Sequence, residues 1–174
     1  ALDTVPLLLV CTNGRRDACC AVRGRPLALA AAASHPGRVW EVTHTGGHRF
    51  APTAILLPWG RILARLDPLL ADRVLVAASH GHLAAEALGP RHDRGAMHMT
   101  PREQAIEAFL RQEWGITDLT TAPSIDPAAV TVNVVHGPAL PVSCGRASEP
   151  TTWFVPTWAT EDRSSPPTVT SEAP

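Results

Sequence analysis

The sequence predicts an α/β fold, and three observations predict it. A short apolar run, Pro6 to Cys11, is followed by an Ala- and Leu-rich stretch from Arg25 to Ser34 and by an alternating run from Arg38 to Thr43. Two more apolar runs, Thr53–Leu57 and Arg61–Arg65, flank a Pro58-Trp59-Gly60 turn, and a helix signal opens at Asp67-Pro68. The bulk figures allow it: 174 residues, 45% of them hydrophobic, suffice for one domain with a core and a tail.

Each element has a local reason. Pro6–Cys11 is short and apolar and ends at a turn, as a buried strand does. Thr12–Asp17 is a loop, with Asn13-Gly14 as its turn signal. Pro26 suits the first turn of a helix over 25–34, and His35-Pro36-Gly37 stops it. Arg38–Thr43 alternates as a strand. Thr53–Leu57 and Arg61–Arg65 form a hairpin, and Asp67 caps a helix running to about Ala78. Strand, helix, strand, loop, hairpin and helix in this order match a thioredoxin-like arrangement. Ser79–Met99 reads as a His- and Gly-rich connector. Thr100-Pro-Arg-Glu103 is a capping box opening a helix to Trp114, with Gly115 as its stop. Ala128–His136 and Leu140–Cys144 read as strands and Glu149–Ala159 as an extended piece. The Ser-, Pro- and Thr-rich composition from Thr160 onward predicts a disordered tail.

Composition excludes several function classes. The formal net charge is −1, which gives no electrostatic case for nucleic acid. All fifteen basic residues are arginine, and tyrosine is absent. The apolar run Leu7–Val10 is too short for a signal core or a membrane span, so no membrane partner and a cytoplasmic location are expected. Cysteines at 11, 19, 20 and 144 do not form a secreted disulfide framework; reduced thiols or metal ligands suit them better. No Ser-His-Asp arrangement, phosphate loop or paired acid/base carboxylates stand out, so a non-enzymatic role is expected.

The chemistry concentrates in two segments, Cys11-Thr-Asn-Gly-Arg-Arg-Asp-Ala-Cys-Cys20 and His44-Thr-Gly-Gly-His48. Each sets metal-competent side chains on a Gly-bearing loop after a predicted strand. Iron and zinc both accept thiolate and imidazole. Structural zinc usually takes its cysteine pair from a tight knuckle, whereas Cys11 and Cys20 bracket a wide loop better suited to wrapping a two-iron core. Gly46 and Gly47 free the second loop for unusual dihedrals. The residues alone also admit a Cys2His2 zinc site stabilising a binding module. A thiol–disulfide enzyme using Cys19 and Cys20 is disfavoured by the lack of Cys-x-x-Cys geometry. His80, His82, His92 and His98 read as connector surface, Cys144 as a buried thiol, and Trp40 and Phe50 as core packing.

The stretch Val10–Pro26 and the stretch Trp40–Ala51, which holds Trp-Glu-Val-Thr-His-Thr-Gly-Gly-His-Arg-Phe-Ala, resemble the sucrase/ferredoxin-like family of thioredoxin-like [2Fe-2S] proteins. The helix after Thr100, with Gln104 and Glu107, also fits, so the resemblance covers about residues 5–115. It implies a thioredoxin-like ferredoxin domain over residues 1–80; the elements that follow predict a C-terminal α+β extension over 81–159, and composition a disordered tail over 160–174. It implies a [2Fe-2S] cluster held by Cys11, Cys20, His44 and His48, the bis-histidinyl ligand set. The pattern Cys-Ala-x-Arg-Gly at Cys20–Gly24 favours Cys20 over Cys19, which then points elsewhere. The implied role is electron transfer or redox sensing with a reductase or electron acceptor as partner. Two imidazole ligands imply a potential above that of an all-cysteine ferredoxin, and one that falls as pH rises. Arg15, Arg16, Arg23, Arg25 and Arg49 crowd both motifs, as a docking surface or as plain solvated charge.

Overall fold

The computed structural model describes residues 5–15, 18–121, 123, 132–136 and 152–156; for His48 and the last two segments it describes the backbone. In chain order the elements are β1 (Leu7–Cys11), α1 (Arg25–Ser34), β2 (Val39–Val42), β3 (Thr53–Leu57), β4 (Arg61–Ala64), α2 (Pro68–Ala78), β5 (Asp93–Ala96), α3 (Pro101–Trp114), β6 (Val132–His136) and β7 (Thr152–Pro156). A π-helical turn, Cys20–Gly24, leads directly into α1. The first five strands form one sheet in the order β2-β1-β3-β4-β5.

This is a mixed α/β sheet with a thioredoxin-like order. β1 and β2 are parallel, with Cys11 opposite Val42, and α1 supplies the crossover that parallel neighbours require. β1 and β3 run antiparallel, as do β3 and β4 around the Pro58-Trp59-Gly60 turn. The core lies where Leu8 and Val10 of β1, Leu56 of β3 and Leu63 of β4 meet Leu27 of α1 and Leu75 of α2. α2 begins as its sequence predicts: Asp67 Oδ1 accepts from the Leu70 N–H at 2.8 Å, satisfying one of the donors that a helix start leaves open. α3 opens with the capping box at Thr100 and Glu103 and closes on Gly115 in the left-handed region.

Two expectations are corrected. Ser79–Met99 is not a bare connector: it holds a short helical turn, Ala85–Ala87, and β5, which joins the sheet beside β4. Asp93-Arg-Gly-Ala96 lacks the apolar alternation of a strand, because its anchor is a charge: buried Asp93 meets Arg61 of β4. Trp40 is 58% exposed, not core. It stands on edge strand β2, where only alternate side chains meet the helix layer, and its indole N–H donates to Gly37 O at 3.3 Å. Further along, β6 pairs with β7 in an antiparallel ribbon, so the extended piece near Trp153 and Phe154 is a strand. The expected strand Leu140–Cys144, the thiol of Cys144 and the tail from 160 lie outside the described residues. Among the described residues, no helix is long and apolar enough to cross a membrane.

Candidate functional site

The carboxyl ends of the parallel pair β1 and β2 set the site. The register that places Cys11 opposite Val42 is extended by one bond, Thr12 N–H to Val42 O at 3.2 Å. The chain leaving β2 through Thr43 and His44 therefore starts beside Cys11, and the Cys11 thiol lies 3.5 Å from Thr43 O.

Cys20 arrives by a different route. Gly24 packs on the end of β1 so closely that an added Cβ would stand 2.1 Å from Cys11 O. Only glycine tolerates that approach, and it seats the π-helical turn that begins at Cys20. Asn13 Oδ1 accepts from the Arg15 N–H at 3.0 Å, turning the chain out of β1. As a result Cys11, Cys19, Cys20 and Ala51 form one buried cluster, and no disulfide joins the three thiols. Cys19, expected to point elsewhere, belongs to the same buried cluster and is 5% exposed.

The surroundings of Cys11 shift its thiol toward ionisation. Burial alone pushes its thiol up. Hydrogen bonds from the backbones of Asn13 and Thr45, from the Cys20 side chain and from the Thr45 side chain outweigh burial and bring it below the ordinary cysteine value. Thr45, an unremarked residue of the His44–His48 segment, thus serves the first motif from the second. Its hydroxyl also bonds the Thr53 hydroxyl at 2.8 Å, tying the histidine loop to β3. Gly46 and Gly47 have φ of +78° and +68°, the left-handed turn their sequence anticipates, and Phe50 N–H closes the loop onto Gly47 O at 2.8 Å.

His44 lies two residues beyond the end of β2 and is solvent-exposed; among the described residues it is not part of the buried thiol cluster. His48 begins a short helical turn, His48–Phe50. Among the described residues no three His, Cys, Asp or Glu side chains gather as a metal group; the site's described core is the thiol pair, Cys11 with Cys20. Buried, mutually bonded thiols with one biased toward thiolate are donors suited to a soft or borderline metal. Arg15, Arg23, Arg25 and Arg49 around the motifs are solvent-exposed.

The family model described as sucrase/ferredoxin-like matches residues 2–88, half of the chain. The chain belongs to this family. The matched span holds both motifs of the sucrase/ferredoxin-like chain, the sheet strands β1 to β4, and α1 and α2. No curated protein and no solved structure matches the chain.

Two further groupings escaped the sequence reading. Arg61, Asp93, Glu107 and Arg111 are all at most 2% exposed. Arg61 grips Asp93 with bonds of 2.9 and 2.6 Å and reaches Glu107 at 2.8 Å, while Arg111 donates to the same Glu107 oxygen at 2.8 Å. The second is a set of arginines around Phe50, with Arg94 and Arg65 over its ring at 4.4 and 5.4 Å. In a chain whose basic residues are all arginine, neither had a distinguishing sequence signal.

Proposed function

We propose that this chain is a bis-histidinyl, thioredoxin-like ferredoxin: one [2Fe-2S] cluster held by Cys11, Cys20, His44 and His48, serving electron transfer or redox sensing. The observation that carries the reading is the convergence of two buried thiols, from the end of β1 and the start of a π-helical turn, beside the start of the His44–His48 loop. Membership of the sucrase/ferredoxin-like family supports it.

When bound, such a cluster takes up and returns a single electron, and with two thiolates and two neutral imidazoles its oxidised form carries no net charge, which raises its potential above all-cysteine ferredoxins. The chain's own residues prepare for this. Burial of Cys11 and Cys20 keeps water from the sulfurs. Against burial, which pushes it up, the Asn13 and Thr45 backbones draw the Cys11 thiol below its ordinary value. Exposure of His44 leaves the histidine side open to a redox partner, a reductase or an electron acceptor. Thiols kept reduced and available suit the cytoplasm.

Separate Cys11→Ser, Cys19→Ser and Cys20→Ser variants, purified without air, test the ligand assignment through visible absorption between roughly 400 and 600 nm. Absorption is expected to be lost in the Cys11 and Cys20 variants and kept in the Cys19 variant. A colourless Cys19 variant overturns the choice of Cys20. A colourless parent protein that contains zinc replaces the whole reading with a structural Cys2His2 site.

A further inference from the structure

Beside the arginines around Phe50 lies a cavity of about 270 Å³, lined in part by Arg65, Asp67, Arg73, Glu86 and Arg91. By volume it holds on the order of nine waters, enough for a small anion with its carbon frame and too little for a folded segment. Its two carboxylates are already engaged. Asp67 caps α2 through the Leu70 N–H at 2.8 Å, and Glu86 pairs with Arg73. Arg65 and Arg91 line the cavity with positive charge, and Arg91 has no carboxylate partner among the described residues.

The fold gathers these charges against their mutual repulsion. Arg65 is depressed below the ordinary arginine value by burial and by the charge of Arg91. Arg94 is depressed by burial and by Arg65. Arg65 also has φ of +51°, and it is the one non-glycine among the described residues with a positive φ. Its N–H is fixed on Phe50 O at 2.8 Å. A strained backbone beneath a concentration of like charge is what a ligand clamp looks like before its ligand arrives.

We propose that this cavity binds a small multivalent oxyanion, gripped by the guanidinium groups of Arg65 and Arg91. Planar guanidinium forks match phosphoryl and carboxylate oxygens alike, so the shared chemistry is that of a phosphate ester or a polycarboxylate. The site does not depend on the cluster assignment, since none of its groups belongs to the two motifs.

Calorimetric titration of the full chain with inorganic pyrophosphate, and separately with citrate, tests this at an ionic strength held constant with chloride. Saturable one-site binding is expected for at least one anion, and the tighter of the two names the source. Arg91→Gln removes a charge from an exposed side chain, so the fold should persist by circular dichroism while affinity falls about tenfold or more. Arg102→Gln, an equal loss of charge on α3, should leave affinity unchanged. Absence of saturable binding by both anions, or the same loss in both variants, overturns the proposal.

Discussion

Single residues carry the tightest constraints on this site. Gly24 has an atom-level reason: an added Cβ would stand 2.1 Å from Cys11 O, which is backbone and cannot step aside. Gly24→Ala is therefore expected to cost about 3 kcal/mol or more in urea unfolding; a loss under about 1 kcal/mol would show that β1 and the turn at Cys20 are not in this contact. Asp118 makes a second prediction. The Thr120 hydroxyl and N–H, each 2.7 Å away, and the Thr121 hydroxyl at 2.8 Å bond its carboxylate. With the Thr120 bonds as the largest causes, its carboxyl is lowered from 3.8 to about 2. The folded value lies below the unfolded one, so this stabilisation is complete above the unfolded value of 3.8 and fades as pH falls toward 2. A carboxyl carbon titration midpoint near 2 is expected by NMR, and one near 4 would contradict the bonding. At this scale the ligand candidates were legible because cysteines and histidines at set spacings are rare signals. The support from Thr45 was not, because a threonine in a loop is ordinary until the fold brings it to Cys11.

At the scale of elements, charge does what apolar packing does elsewhere. Arg61 of β4 binds Asp93 of β5 and Glu107 of α3, and Arg111 of α3 shares Glu107. Arg111 also donates to Asp118 O at 2.7 Å and Thr121 O at 2.6 Å. The strand and helix that follow α2 are thus fastened to the sheet by a buried ionic cluster. Burial pushes the Asp93 carboxyl up, and the Arg61 fork draws it partly back. For Glu107 burial also acts upward, but its bonds to Arg61 and Arg111 prevail and lower it. Breaking such a cluster from one side strands a buried charge. Arg111→Met is accordingly expected to cost about 3–5 kcal/mol in urea unfolding, since Glu107 Oε2 already has no hydrogen-bond partner among the described residues. A loss under about 1 kcal/mol would contradict the role given to the cluster. Periodicity, caps and turn residues made β1 to β4 and all three helices legible in advance. β5 was not, because Asp93-Arg-Gly-Ala96 is held by an ion pair with a residue 32 positions earlier, and local sequence carries no trace of such a partner. Trp40 was misread for a related reason: a large apolar side chain is usually buried, but the sheet order that makes β2 an edge is a property of the assembled fold.

The whole molecule joins a small mixed sheet with two motif loops at the carboxyl ends of its parallel pair and an arginine-lined cavity beside the second loop. A net charge of −1 hides this distribution, since exposed arginines stand around the motifs and the half-buried Arg65 and Arg94 flank Phe50. The fold class and the family were legible because both depend on patterns continuous in sequence. The cavity and the ionic cluster were not, because each assembles from segments far apart in the chain. The central claim, that this sucrase/ferredoxin-like chain holds a two-iron cluster, is most directly tested by iron, zinc and acid-labile sulfide analysis of protein purified without air. The account predicts about two irons and two sulfides per chain. About one zinc with no sulfide would contradict it.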